Sequence, residues 1–297
     1  MVAEEAEVVA VDAGVAGAEP MVNEHPSLGV GLGFRPPFLA DLFRNRRGVD
    51  FLEITADHYL DAPPEKLDEL KLLADHFPII PHALDLSIGS AEGMDDDYLE
   101  ALAGLVERLN PPWWSEHLAF TRAGGVAIGH LAPLPRTREA VDVVARNVER
   151  IRGRIATPLI LENITATIDL PGAELDEPEF LSMVLDQTGC GWLCDVTNLY
   201  TNAENRGRDP MAELDRWPWG RAVQFHFAGG HRQGGTMIDS HAHTTPPEVW
   251  RLLDEAARRA PVRGIILERD ENLPPMADLL DELDRARAIA RRYERWA

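Results

Sequence analysis

Residues 159–163 read Leu-Ile-Leu-Glu-Asn and residues 191–195 read Gly-Trp-Leu-Cys-Asp, with a helical pattern at 178–188 between them. A short apolar run, a helix opened by Pro178 and a second short run form one β-α-β unit, whose two strands lie parallel. The alternation continues in both directions. Candidate strands fall at 28–33, 50–54, 78–82, 113–117, 159–163, 191–195, 222–227 and 264–268. Candidate helices fall near 37–47, 64–76, 96–109, 137–153, 178–188, 210–217, 246–259 and 275–295. Strands and helices match in number, which predicts a single (β/α)8 barrel of TIM type, an α/β fold. An open doubly wound sheet uses the same units, but the first strand runs into Gly-Phe-Arg-Pro-Pro at 33–37 in place of a Gly-rich phosphate turn.

Length and composition agree with one domain, because 297 residues at 45% hydrophobic content suffice for one barrel core. The barrel, a metal-dependent catalytic domain, is expected to span 27–297. Residues 1–26 are expected to form a disordered acidic tail, since 1–20 carry five acids, no Lys or Arg and no aromatic residue, and Met21 is a candidate true start. No repeat at a fixed period is evident. With 50 acidic against 29 basic residues, the net charge of −21 opposes phosphate backbones and anionic membranes, so neither nucleic acid nor membrane is an expected partner. Two cysteines, Cys190 and Cys194, make no disulfide framework, and no apolar run approaches the length of a membrane span. A cytoplasmic location is expected. The connection at 228–245 is too long to be a mere link and is read as functional.

Active sites of α/β barrels are built from the carboxyl ends of the strands. There the sequence places His82, Glu116 with His117, Glu162 with Asn163, Asp195, His226 and Glu268, while the long seventh connection adds Asp239, His241 and His243. Any one of these is ordinary alone. Converging carboxylates without a cation would repel each other and lose hydration, so their recurrence at one end predicts bound metal. The number of ligands exceeds the needs of one ion, and imidazole with carboxylate suits iron, manganese or zinc. Asn163, Asn198 and Asp85 are read as groups that orient ligands or face an open coordination position. Cys194, one residue before Asp195, should point to the opposite side of its strand. The tryptophans, the Asp95–Asp96–Asp97 run and His76 read as packing, a helix start and surface.

Ordered segments then carry a family resemblance. They are Pro-His-Ala-Leu-Asp-Leu-Ser-Ile-Gly at 81–89, Ser-Glu-His-Leu-Ala-Phe at 115–120, Leu-Ala-Pro-Leu-Pro-Arg-Thr at 131–137 and Leu-Glu-Asn-Ile-Thr at 161–165. Further along come Thr-Gly-Cys-Gly-Trp-Leu-Cys-Asp-Val-Thr-Asn at 188–198, Phe-His-Phe-Ala-Gly-Gly at 225–230, Ile-Asp-Ser-His at 238–241, Val-Trp at 249–250 and Leu-Glu-Arg-Asp at 267–270. From about Leu28 to its end the chain resembles the DUF692 family of multinuclear non-haem iron-dependent oxidative enzymes. The resemblance implies a xylose-isomerase-like barrel holding two or three iron ions, as Fe2+ and Fe3+, on His82, His117, Glu162, Asp195, His226, Asp239, His241 and Glu268. It also implies an oxidoreductase that uses dioxygen on a ribosomally made precursor peptide, often at cysteine, with a small partner protein that binds the peptide leader. His58 departs from the pattern, standing where the family commonly shows Asn, and it, His243 and Glu116 remain open as further ligands. Two other functions use the same strand ends: a divalent-metal sugar isomerase or phosphodiesterase, and a non-catalytic metal- or peptide-binding protein.

Overall fold

A computed structural model describes residues 25–296. Of the expected N-terminal tail, 1–24 lie outside the described residues, whereas His25 is buried with its ring edge-on to Trp113, 5.4 Å between centroids. Eight parallel strands close into a barrel: β1 (Gly29–Gly33), β2 (Leu52–Thr55), β3 (Ile79–Ala83), β4 (Trp114–His117), β7 (Leu159–Glu162), β8 (Gly191–Asp195), β9 (Ala222–Phe227) and β12 (Gly264–Leu267), each hydrogen-bonded to the next and β12 to β1. Two antiparallel hairpins interrupt the alternation, β5 (Ala119–Ala123) with β6 (Val126–Pro133) and β10 (Gly229–Gln233) with β11 (Thr236–His243).

The outer helices are α1 (Leu39–Arg44), α2 (Pro64–Ala74), α3 (Asp96–Leu109), α4 (Arg138–Arg152), α5 (Glu177–Thr188), α6 (Val196–Asn205), α7 (Pro247–Arg259) and α8 (Met276–Arg292). Seven lie where periodicity places them, and the sixth does not. The stretch 210–217 holds only turns and a 3-10 turn at Leu214–Arg216, while α6 starts directly after β8. Asp195 causes the shift by capping that helix, its Oδ1 accepting from the Asn198 amide at 2.7 Å. Elsewhere local signals hold, as Asp95 caps α3 and Asp176 closes a capping box on α5. No helix among the described residues is long and apolar enough to cross a membrane.

Inside the barrel one layer is apolar: Phe51, Ile80, Trp113, Ile160, Leu193, Val223 and Ile266, one from the path of each strand except β1. Strand β1 contributes glycine, because a Cβ on Gly31 would lie 2.4 Å from the Phe51 carbonyl oxygen. Side chains alternate along a strand, so the residue two positions on returns to the interior one layer higher. Those residues are Glu53, His82, Ser115, Glu162, Asp195 and Glu268, all buried. A bulge in β9, where Val223 is skipped in the pairing with β8, keeps Gln224 and His226 facing inward after Val223. Cys194 belongs to the outer core between strands and helices, and both cysteines are buried and free.

The long connection expected at 228–245 is thus ordered strand, and so is 119–133, which carried no expected strand. The hairpins correspond to each other at a spacing of 110 residues. Ala119 pairs Pro133 as Gly229 pairs His243, and Arg122 pairs Ala127 as Arg232 pairs Met237. Arg122/Arg232, Gly124/Gly234, Gly125/Gly235, Ile128/Ile238 and Ala132/Ala242 are identical at that spacing. In each the first strand is short by three residues, so the second arches out over the barrel mouth. This correspondence occurs once and so leaves no period in the sequence.

Candidate metal centre

Above the apolar layer, eight side chains converge at the carboxyl ends of the strands. β3 brings His82, β4 His117, β7 Glu162, β8 Asp195, β9 His226 and the end of β12 Glu268, while the arch of β11 brings Asp239 and His241. Two groups have ligand atoms mutually within 4.8 Å: His82, His117 and Glu162, and Glu162, Asp195, His226 and Glu268. Glu162 belongs to both. Its Oε2 lies 3.2 Å from His82 Nε2 and 3.3 Å from His117 Nε2, and its Oε1 lies 3.4 Å from His226 Nδ1. Neighbouring donors on one ion with bonds of about 2.1 Å sit roughly 3 Å apart, so these spacings suit a shared ion better than a row of hydrogen bonds.

The hydrogen-bond inventory points the same way. Buried polar groups nearly always have partners. Here Glu162 Oε2, Asp195 Oδ2, His226 Nδ1, Asp239 Oδ1 and His241 Nε2 are buried and none makes a well-formed hydrogen bond; their close polar contacts are with other candidate ligands, as His241 Nε2 lies 2.8 Å from Asp239 Oδ1 and His226 Nδ1 3.2 Å from Glu268 Oε2. The other ring nitrogen of each histidine is engaged. His82 Nδ1 meets Ser115 Oγ at 2.8 Å, His117 Nδ1–H donates to the Ala83 carbonyl at 3.2 Å, and His241 Nδ1–H donates to Asp270 Oδ2 at 3.1 Å. His226 is reversed: Nε2 lies 2.8 Å from Glu53 Oε1, leaving Nδ1 inward. One nitrogen anchored and the other turned into the cluster, where His82 Nε2 and His117 Nε2 meet at 3.3 Å, is the pattern of a metal-binding imidazole. The donor set fits a group of metal ions.

Charge is equally unresolved by protein partners alone. Burial drives the Asp195 carboxyl well above the usual range, and the charges of Asp239 and Glu162 push it further. Burial opposes a charged His226, but Glu268, Glu53 and Glu162 overcome it and lift its pKa well above 6.5. Asp239 and Glu268 do the same for His241. His117 is lifted to about 9 against burial by Glu162 and Glu116, while burial with His117 and His226 nearby forces His82 well down. Protons therefore do the balancing that cations would do when bound.

The other residues singled out in the sequence divide clearly. Asn163 lies on the outer side of its strand end, where Oδ1 accepts from Trp192 Nε1 and the Asp195 amide and Nδ2 donates to the Asp195 carbonyl. It fixes the backbone that carries Asp195. Asn198 donates to the Asn163 carbonyl and accepts from the Thr165 hydroxyl, which stands 3.4 Å from Asp239 Oδ2. Asp85 sits on the cavity wall, paired with Arg122 at 3.3 Å. Glu116 points out of the barrel and accepts from the Leu86 and His117 amides, and its carboxyl rises to about 7 through burial. His58 lines the cavity rim apart from the cluster, and His243 packs edge-on to His231 on the hairpin. Sequence reading missed Glu53. The signal was present, since Phe51-x-Glu53 repeats the apolar-x-polar spacing of Ile160-x-Glu162 and Leu193-x-Asp195.

A cavity of about 860 Å3 opens above the cluster. Both hairpin arches contribute to its wall, with Gly129, His130 and Leu131 from β6 and Ile238, Asp239 and His241 from β11. At the corresponding positions β6 carries Gly129 and Leu131 where β11 carries Asp239 and His241. One arch therefore carries candidate ligands, and the other presents a surface without them.

Fold and site define a TIM-barrel protein with a histidine–carboxylate cluster able to hold metal ions at the mouth of a wide cavity. The chain belongs to the family described as RiPP precursor modification enzyme MbnB/TglH/ChrH, whose model matches residues 29–291; RiPPs are ribosomally made peptides modified after translation. It is 41% identical over 265 residues to a UPF0276 protein of Streptomyces avermitilis, an alignment covering 86% of this chain and 54%, about half, of that relative's length. A UPF0276 protein of Caulobacter vibrioides is 38% identical over 274 residues, 92% of this chain and 95% of the relative. Among solved structures, 3-keto-D-glucoside 4-epimerase YcjR from E. coli superposes with a TM-score of 0.52 at 16% identity, covering 88% of this chain and 99% of that one. A D-psicose 3-epimerase determined with D-fructose gives 0.53 at 12%, covering 89% and 99%. These two agree with the closed α/β barrel and say nothing about substrate.

Proposed function

We propose that this protein is a multinuclear iron-dependent oxidase that uses dioxygen to modify a ribosomally made precursor peptide at cysteine. The observation that carries the reading is the pair of candidate ligand groups joined through Glu162, with five buried ligand-type atoms in the cluster that make no well-formed hydrogen bond, in a chain of a precursor-modifying family. Iron held there would supply electrons and an open coordination position for dioxygen and a substrate thiolate. His82, His117 and Glu162 would hold one ion and Glu162, Asp195, His226 and Glu268 another, with Asp239 and His241 placed to hold a third.

The protein's own part is binding and orientation. Asn163 and Asn198 set Asp195, and Thr165 ties Asn198 to Asp239. The cavity between the arches is wide enough for a peptide segment, and Leu84, Leu131, Ile164 and Ile238 give it apolar wall. A small leader-binding partner would deliver the peptide from outside the barrel, in the reducing cytoplasm where a cysteine stays free.

The test is anaerobic purification with metal analysis and iron spectroscopy, followed by oxygen uptake with a synthetic cysteine-containing candidate precursor peptide. More than one iron per chain and peptide-dependent uptake are expected. A single tightly bound zinc with no uptake would refute the reading, and turnover of free ketoses without dioxygen would favour the isomerase alternative.

A further inference from the structure

Glu53 is 3% exposed inside the barrel, beside the cluster, and its polar partners among the described residues are Gln224 and His226. A buried carboxylate with no Lys or Arg among its partners is costly unless the fold uses it. Its surroundings have a fixed direction of donation. Trp113 Nε1–H can only donate, and it donates to Gln224 Oε1 at 2.8 Å. Gln224 therefore turns its amide nitrogen toward Glu53 and donates to Oε2. Glu53 Oε1 is left as the acceptor 2.8 Å from His226 Nε2, where the Gln224 amide nitrogen also lies, at 3.1 Å. An imidazole that gives its Nδ1 lone pair to a metal keeps its proton on Nε2, and that proton needs an acceptor.

We propose that Glu53, oriented by Trp113 through Gln224, is a positioning residue that holds the proton of His226 on Nε2 and so presents Nδ1 to the metal ions. The proposal rests on the metal-centre reading above. It accounts for His226 facing the cluster through Nδ1 while His82, His117 and His241 face it through Nε2. It also gives the buried carboxylate a function that touches neither substrate nor metal.

The order of donors predicts a rescue. In Glu53→Gln, the amide introduced at position 53 must offer its single oxygen to either Gln224 or His226, and its NH2 then faces the other donor. Adding Gln224→Glu restores the order: Trp113 and the position-53 amide both donate to the carboxylate now at position 224, and the oxygen of that amide accepts from His226. Purified full-length protein loaded with Fe2+ anaerobically, or with Mn2+, is challenged with excess chelator, and ions retained per chain and release rate are measured. Glu53→Gln is expected to weaken one ion by about 10–100-fold, and the double variant to recover most of that loss. Trp113→Phe, which keeps the bulk and removes the donor, is expected to weaken the same ion by less. Wild-type release from Glu53→Gln, or a double variant no better than the single one, overturns the proposal. Wild-type protein that binds no transition metal overturns the metal centre itself and this proposal with it.

Discussion

Replacing Glu162 with Gln tests whether two metal positions share one carboxylate. The substitution is nearly isosteric, removes one negative charge from the middle of the cluster and leaves the apolar layer beneath untouched. Each oxygen of Glu162 faces a different group, so in Glu162→Gln one position meets an NH2 in place of its oxygen and the other keeps only a neutral amide oxygen, weakening both, whereas His82→Ala removes a donor from one group only. Losing even a supporting group costs about 10–100-fold in metal affinity. Taking that as the minimum at each position gives a loss of roughly 3–5 kcal/mol of metal-derived stabilisation over the pair, at about 1.4 kcal/mol per tenfold. At about 2 °C per kcal/mol for a chain of this size, the metal-induced rise in Tm should fall by about 6–10 °C. Without metal the substitution relieves the crowding by Asp195 and Glu268 but also removes the charge that supports protonated His117 and His226, so the metal-free Tm should change much less than the metal-induced rise. Differential scanning calorimetry with and without Fe2+ or Mn2+, together with ion counting, measures both effects. A variant that keeps the wild-type ion count and the full rise in Tm would show that Glu162 joins nothing.

Three other outcomes follow from named contacts. In metal-free protein the raised pKa values of His226, His241 and His117 mean that protonation of these groups favours the folded state; this contribution is complete below pH about 6.5 and is lost as pH rises through the raised values. Bound ions displace those protons, so the rise in Tm on adding metal should be larger at about pH 8.5 than at about pH 6; an increment that shrinks with pH contradicts the electrostatics. Gly31→Ala drives a methyl group against the Phe51 carbonyl and Ile266, and should cost about 1–3 kcal/mol in urea unfolding, against no change if the barrel interior has slack there. Asn163→Ala strands the Trp192 indole N–H and the Asp195 amide and carbonyl; it should destabilise by about 3 kcal/mol or more and weaken the ion held by Asp195, and a cost under about 0.5 kcal/mol would show that those hydrogen bonds are replaceable.

What the sequence determined by itself was periodic and local. Alternation of short apolar runs with helical stretches specified eight βα units, and the absence of a Gly-rich phosphate turn after the first strand favoured the closed barrel over an open sheet built from the same units. The same runs located most candidate ligands, since a strand end is a local property and the fold puts every such end on one face. The sixth helix was misplaced because a polar start, Asp195 to Asn198, gives little hydrophobic periodicity and is set by one capping hydrogen bond. Hairpins were invisible for a related reason: β6 and β11 break their own register with three-residue arches, so period-two alternation fails in the segment that forms the cavity wall.

Only the tertiary structure decided which side chains meet. His226 faces the cluster because a one-residue bulge at Val223 reverses the parity of β9, and no feature of Val-Gln-Phe-His announces a bulge. Glu162 serves two groups because the closing of the barrel brings β3, β4, β8, β9 and β12 around the end of β7. Glu53 belongs to the site through Gln224, 171 residues away. A chain fixes the order of its donors and acceptors, but their distances arise only when strands far apart in sequence become neighbours in a closed ring.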